Sequence, residues 1–356
     1  MIYDFRKKQK FGYTTGSCVA AASLAALFYL KFNKIVDYIE VFNLDGDKLI
    51  IPIEKIERLG DKVRVTVIKD AGEDCDITNG IEIVVEAKLK KGDKGVVIKG
   101  GKGVGIVTKD GLPVKKGEKA INPKPKEMII NNLIKYLDDN ETFEIEIIIP
   151  KGEELAKKTL NPKLGIVKGL SILGTTGIVK PMSNEAYKKS LVSQIDVALA
   201  SGFKHLIFVP GNIGLRMAKK LLNCSEDQIV IVSNFWGYML DKAEEKGVKE
   251  ITILGHAGKI IKLAAGIYNT HSKVADARNE ILTAYSSLFL EKEDIKKVLY
   301  ANTTEEVIKL LEDKNVLKDV FNLIAKRVVE RAEEKWNIKF KCIIVDLKGN
   351  ILGEKT

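Results

Sequence analysis

Sulfur, proline and recognisable nucleotide motifs are all scarce in this chain of 356 residues. Its four cysteines, Cys18, Cys75, Cys224 and Cys342, lie far apart with no Cys-x-x-Cys pair. That argues against a zinc knuckle or a disulfide framework and places the chain in the reducing cytoplasm. Only eight prolines, beside abundant Lys, Glu and Ile, resemble thermophile usage. No G-x-G-x-x-G occurs, and "GHAGK" (255–259) lacks the spacing and the Ser/Thr of a phosphate-binding P-loop. An NAD enzyme or an ATPase is therefore not expected, whereas a ligand with adenosine but no phosphates stays open. No segment reaches transmembrane length, so a membrane is not an expected partner. No stretch interleaves aromatics with Arg as a base-stacking platform, so nucleic acid is not expected either.

What the chain does have is length for two domains and a formal net charge of +10. Basic residues are interleaved with acids throughout, so the charge biases partners towards anions in general.

The opening "GYTTGS" (12–17) stands between a basic start (Arg6, Lys7, Lys8, Lys10) and the apolar run "CVAAASLAALFYL". A secretory signal begins this way. However, "KFNKIVDYIEVF" follows without a small-residue cleavage site, and the better account is a helix entered through a turn. Thr14, Thr15 or Ser17 would offer a hydroxyl to the orphan N–H groups of its first turn.

Up to about residue 150, "VDYIEVF", "KLIIPI", "KVRVTVI", "GIEIVVEA" and "FEIEIIIP" alternate as period-two strands, with a hairpin-grade turn at "NLDGDK". From about Ser183 the rhythm becomes helix, short apolar strand, helix: "HLIFV", "QIVIV" and "EITIL" are continuous buried-type runs. The expected fold is an α+β domain with a mainly antiparallel sheet over 1–182, followed by an α/β, Rossmann-like doubly wound domain over 183–356. In the tail, Thr303 to Glu306 is a capping-box candidate, Val316 to Trp336 is amphipathic, and "KCIIVDL" reads as the last strand.

Ligands of an open α/β sheet bind beyond the carboxyl ends of its strands. There stand "PGNIG" (Pro210, Gly211, Asn212, Gly214), "SNFWG" (Ser233, Asn234) and "GHAGK" (Gly255, His256). Glycines that merely cap helices would look the same at any single turn. "KGGKGVGIVTKDGLP", with Gly101, Gly103 and Gly105, and "SILGTTGIVKPMS", with Thr175 and Thr176, read by propensity as flexible loops. The second repeats the Thr-Thr-Gly of the opening and offers hydroxyls and N–H groups to carboxylates or a sugar edge. "KDAGEDCDITNG" gathers Asp70, Glu73, Asp74 and Asp76 as a metal cluster, a base or a solvated turn. Of three histidines, His205 opens a buried strand, His256 lies in a strand-end turn, and His271, among Asn, Thr, Ser and charges, could bind or transfer a proton.

Taken in order, "GYTTGSCVAAA", "KDAGEDCDITNG", "GGKGVGIVTKDGLPV", "GEKAINPKPKEMI", "LGIVKGLSILGTTGIVKPMS", "PGNIG", "SNFWGYMLD" and "GHAGKIIKLAAGIYNTHSKVADAR" resemble the successive blocks of the cobalt-precorrin-5B C1-methyltransferase family, of the oxygen-independent route to cobalamin. The resemblance runs from about residue 12 to 278. It departs at Cys75, where proline is expected, and at Asn79, where histidine is expected.

The resemblance implies methyl transfer from S-adenosylmethionine to C1 of an anionic cobalt corrinoid, giving cobalt-precorrin-6A. Cobalt would arrive within the substrate, so no protein-bound metal is expected. Pro210, Gly211, Asn212, Gly214, Ser233, Asn234, Gly255 and His256 would take the cofactor in the second domain. Thr14, Thr15, Gly101, Gly103, Gly105, Thr175 and Thr176 would face the corrinoid in a cleft between domains, with His271, Asp74 and Asp76 as candidates for proton handling. Lys102, Lys109, Lys180, Lys259, Lys273 and Arg278 flank these turns. Homo-oligomerisation is left open. The alternatives are a dinucleotide-dependent oxidoreductase acting on a polycarboxylate tetrapyrrole, and a non-catalytic anion-binding protein.

Overall fold

A computed structural model describes residues 2–4, 9–74, 76–181 and 184–356. Cys75 lies outside the described residues, as do Met182 and Ser183, where the expected domain boundary falls. The chain separates into two compact units, Met1–Asn184 and Glu185–Thr356, and is mixed α/β.

In the first unit five strands lie in the order Lys55–Leu59, Lys62–Ile68, Glu82–Lys91, Glu141–Ile148, Gly95–Gly100. All neighbours are antiparallel except the last pair, which is parallel. Their alternation puts Val63, Val65, Val67, Phe143, Ile145 and Ile147 into one core with the helix Thr15–Phe32. That helix is buried without a break from Thr15 to Leu27, so it is a central helix and not an amphipathic surface one. Its 18 residues are, by length and composition, enough to cross a membrane, which corrects the expectation that no segment is; 72% of that window is buried inside the protein.

"GGKGVG" is a place of backbone crossings. Gly103 has φ +76, and a Cβ there would lie 1.9 Å from the Ile149 carbonyl oxygen. A Cβ on Gly152 or on Gly169 would come within 2.2 Å of the Gly103 oxygen. The strands Gly103–Val104 and Gly169–Leu170 pair in parallel at this point. Three chain segments therefore approach as closely as they do because none carries a side chain there.

The second unit has five strands in the order Ile229–Ile231, His205–Val209, Glu250–His256, Lys339–Val345, Ile351–Lys355. The first four run parallel and the last antiparallel. "KCIIVDL" is thus not the final strand. Sequence patterning misses Ile351–Lys355 because its apolar run is short and tertiary contact holds it: a Cβ on Gly353 would lie 2.3 Å from the Phe321 backbone, in the helix Leu317–Glu333. Gln194, from the helix Asn184–Ala200, donates to the Ile231 carbonyl (3.1 Å) and accepts from its N–H (3.0 Å). One side chain thereby stands in for a neighbouring strand on that edge.

Two glycines with left-handed φ separate conformational from steric cost. At Gly60 (φ +63) a Cβ meets nothing within 4 Å, so Gly60→Ala should lose only about 1 kcal/mol. Gly103→Ala adds overpacking and should lose roughly 2–4 kcal/mol in total. Urea unfolding midpoints of the two variants check the ordering.

Candidate active site

The repeated Thr-Thr-Gly motifs meet in the first unit. Thr14 caps the central helix, its hydroxyl accepting from the Ser17 N–H at 3.2 Å and lying 2.9 Å from the Ser17 hydroxyl. Ser17 Oγ donates to the Gly177 carbonyl, and the Thr14 N–H donates to the same oxygen at 3.1 Å. Thr15 Oγ1 donates to the Leu173 carbonyl (3.2 Å) and accepts from the Leu173 N–H (2.8 Å), while the Gly16 N–H donates to that carbonyl (3.0 Å). Gly174 must lack a Cβ, which would lie 2.3 Å from Thr14 Oγ1.

Thr14 and Thr15, expected to face substrate, are buried and bind the second motif instead. The exposed pair is Thr175 and Thr176. Thr176 Oγ1 makes a local turn with Ile178, and its carbonyl accepts from Asn43 Nδ2 at 2.8 Å. Asn43 is a buried residue that sequence reading passed over: its Oδ1 also holds the hairpin turn through Asp45 N (3.1 Å) and Asp47 N (2.7 Å).

Residues 70–73 of "KDAGEDCDITNG" pack on the strand Gln9–Tyr13. Asp70 O accepts from the Tyr13 N–H at 2.7 Å, and a Cβ on Gly12 would lie 2.0 Å from the Ala71 backbone. Beneath it Lys69, only 1% exposed, places its ammonium 2.7 Å from Asp76 Oδ2. Asp76 Oδ1 accepts from the Thr78 N–H (2.8 Å) and hydroxyl (2.7 Å). Burial by itself would raise the Asp76 carboxyl, but Lys69 and Thr78 outweigh it and hold it below the ordinary carboxylate range. Asn79 Oδ1 accepts from the Ala71 N–H at 2.9 Å. Gly101, Gly103 and Gly105 are buried, and Lys119 binds the carbonyls of Gly101 (2.9 Å) and Val104 (3.1 Å). Among the described residues no group of three His, Cys, Asp or Glu gathers for a metal.

In the second unit the expected cofactor residues share the carboxyl ends of three adjacent strands. The helix Asn212–Leu221 starts at Gly211 with no side-chain cap, and a Cβ on Gly211 would meet nothing within 4 Å. Gly214 lies so near its strand that a Cβ would come 2.8 Å from Val209 Cβ, and Gly255 is equally close to Pro210. Ser233 holds φ +55, a strained value for a residue with a side chain. Asn234 Oδ1 accepts from Lys259 Nζ and from Thr270 Oγ1 (3.3 Å), and its carbonyl accepts from the Thr270 N–H (3.1 Å).

His256 is engaged at both ring nitrogens. Nδ1 accepts from the Gly258 N–H (3.2 Å), capping the helix Ala257–Ala264, so Nε2 carries the proton and donates to Glu305 (2.8 Å). That places Glu305 of the tail against the strand-end turns. His271 is exposed, with Nδ1 accepting from the Lys273 N–H at 3.1 Å. It belongs to the second unit, whereas Asp74, Asp76 and the threonines belong to the first.

The family model CbiD matches residues 2–181, and the model for the CbiD C-terminal domain matches residues 269–356. The chain belongs to the CbiD family. It is 73% identical to the cobalt-precorrin-5B C(1)-methyltransferase of Methanocaldococcus jannaschii, over 99% of this chain and 98% of that one. It is 61% identical to the protein of the same name from Methanococcus aeolicus, over 99% of each. A crystal structure of the cobalamin biosynthesis protein CbiD from Archaeoglobus fulgidus matches 78% of this chain and 92% of that chain, at 28% identity and a TM-score of 0.40.

The Lys69–Asp76 pair makes a testable claim on this member of the family. Asp76→Asn leaves a buried ammonium without its anion and should cost about 3 kcal/mol at pH 7. A depressed carboxyl stabilises the fold above its unfolded value and stops doing so as pH falls through the folded one. The gap between wild type and variant in urea unfolding should therefore narrow as pH is taken down towards about 2.

Proposed function

We propose that this CbiD protein transfers the methyl group of S-adenosylmethionine to C1 of cobalt-precorrin-5B, giving cobalt-precorrin-6A in oxygen-independent cobalamin synthesis. Its relatives of closely similar length carry that activity in their names. The observation that carries the donor assignment is the open end of the second sheet. The first strand, His205–Val209, lies between the second and the third, so the chain reverses its direction of travel across the sheet there. We read this as a Rossmann-like doubly wound domain whose switch point takes the ligand. Gly211 leaves space, and Asn212, Ile213 and Gly214 present first-turn N–H groups. The turn lacks a phosphate motif, which suits an adenosine ligand without phosphates.

When bound, the donor supplies a methyl already activated on a sulfonium, so the carbon nucleophile needs no metal from the protein. The protein's contribution is alignment, on the order of 7–11 kcal/mol when donor and acceptor are well placed. Thr175 is the hydroxyl of the first unit best placed to meet the corrinoid, because Thr14, Thr15 and Ser17 are occupied in holding its turn. Exposed Lys102 and Lys180 on the flanking loops suit a polycarboxylate. Asp76, ionised and committed to Lys69 and Thr78, holds its loop together, and His271 with its exposed ring is the better proton carrier. The compartment is the cytoplasm, in keeping with Cys18 and Cys342 as buried free thiols.

Gly211→Val tests the donor site cleanly, since its φ of 166 is extended backbone and its side chain would enter open space. Calorimetric titration with S-adenosylhomocysteine should show saturable binding to wild type, none of comparable strength for NADH or ATP, and a loss of about tenfold or more in the variant. The melting temperature should fall by no more than a few degrees, the cost of valine at the N-cap of this helix. Unchanged affinity in the variant would place the donor elsewhere.

A further inference from the structure

Lys259 stands in the first turn of the helix Ala257–Ala264, after the third strand, and reaches Asn234 beyond the end of the second. The strand His205–Val209 lies between those two, so the ammonium spans the strand-end turns. Three features of its surroundings disfavour a cation. The side chain is half-buried, and its hydrogen-bond partner among the described residues is a neutral amide oxygen. It occupies the positive end of a helix whose first turn has no acidic residue. Its charged neighbour is another cation, Lys262, and burial followed by that neighbour lowers the Lys259 ammonium from its ordinary value.

Lys262 shows what a satisfied lysine looks like here. Only 2% exposed, it donates to the carbonyls of Ala275 (2.7 Å) and Thr270 (3.3 Å) and lies 3.8 Å from Asp276. Arg278 also binds Asp276, at 2.7 Å and 3.2 Å. The Asp276 carboxylate is thus shared between Lys262 and Arg278, and Lys259 forms no ion pair among the described residues. A partly desolvated charge without a counter-ion is costly to keep.

We infer that Lys259 is a carboxylate-binding residue whose counter-ion is brought by a ligand. Resting on the donor reading above, that carboxylate is the one on the amino-acid end of S-adenosylmethionine; the other source of the same group is an acid side chain of the corrinoid. Asn234 and Thr270 hold the lysine in place for either.

Calorimetry of wild type and Lys259→Met with three probes separates these. The probes are S-adenosylhomocysteine, 5′-methylthioadenosine, which keeps adenosine and thioether but lacks the carboxylate, and cobyrinic acid, a polycarboxylate corrinoid. The expected result is a loss of about 10- to 100-fold for S-adenosylhomocysteine, with 5′-methylthioadenosine and cobyrinic acid unchanged. Because Lys259 lacks a counter-ion, the melting temperature of the free variant should stay level or rise. A loss confined to cobyrinic acid keeps the carboxylate site and assigns it to the corrinoid, and absence of S-adenosylhomocysteine binding in wild type as well would then overturn the donor reading alone. No change for either carboxylate probe overturns the inference while leaving the donor reading intact. A uniform loss for all three with a lowered melting temperature makes Lys259 a structural residue and overturns the inference too.

Discussion

A helix buried from its first residue cannot leave its leading N–H groups to water, and much of the first unit follows from that constraint. Its capping groups must come from within the protein. Thr14 supplies one acceptor locally, and Leu173 and Gly177 of the second Thr-Thr-Gly motif supply carbonyls. The two motifs can come so close only because Gly16 and Gly174 carry no side chains, and the acidic loop can reach them because Gly12 carries none. Once they are docked, the acidic loop, the hairpin turn under Asn43 and the short strand Ile178–Val179 are fixed against them. The opening motif is therefore structural at its hydroxyls.

The second unit shows the opposite economy of polar groups. Where the first unit satisfies the leading Gly16 and Ser17 N–H groups of its buried helix internally, the carboxyl ends of the second sheet keep an uncapped helix start, a strained Ser233 and a lysine that forms no ion pair among the described residues. Backbone strain and unpaired charge of this kind lower stability. His256 is the exception at that edge. Both its nitrogens are engaged, one in capping a helix and one with Glu305, which ties the strand-end turns to the C-terminal helices.

Periodicity made the regular strands legible. "KVRVTVI" is the strand Lys62–Ile68, and "HLIFV" is His205–Val209. Patterning failed where pairing is decided by a distant partner. Lys55–Leu59, mostly exposed, and Gly95–Gly100, glycine-bounded, carry little alternation of their own and are strands because neighbours dock on them. "GGKGVG" looked flexible by propensity, yet its glycines are the points at which backbones touch. Turn chemistry located the strand-end residues of the second unit correctly in one place, since each follows an apolar run directly. It could not rank them.

By itself the sequence determined the strand and helix periods, the glycine-bearing turns, a basic surface without a phosphate motif, and the ordered blocks that tie the chain to its family. These are local or additive properties, readable without knowing what lies opposite. Tertiary structure alone decided which hydroxyls are used up and which lysines are paired. Thr15 finds its partner 158 residues away at Leu173, and Lys259 is distinguished from Lys262 only by the carbonyls and the carboxylate that folding brings to one and not to the other. Hydrogen bonding and charge compensation are satisfied across space, so no window of sequence contains them.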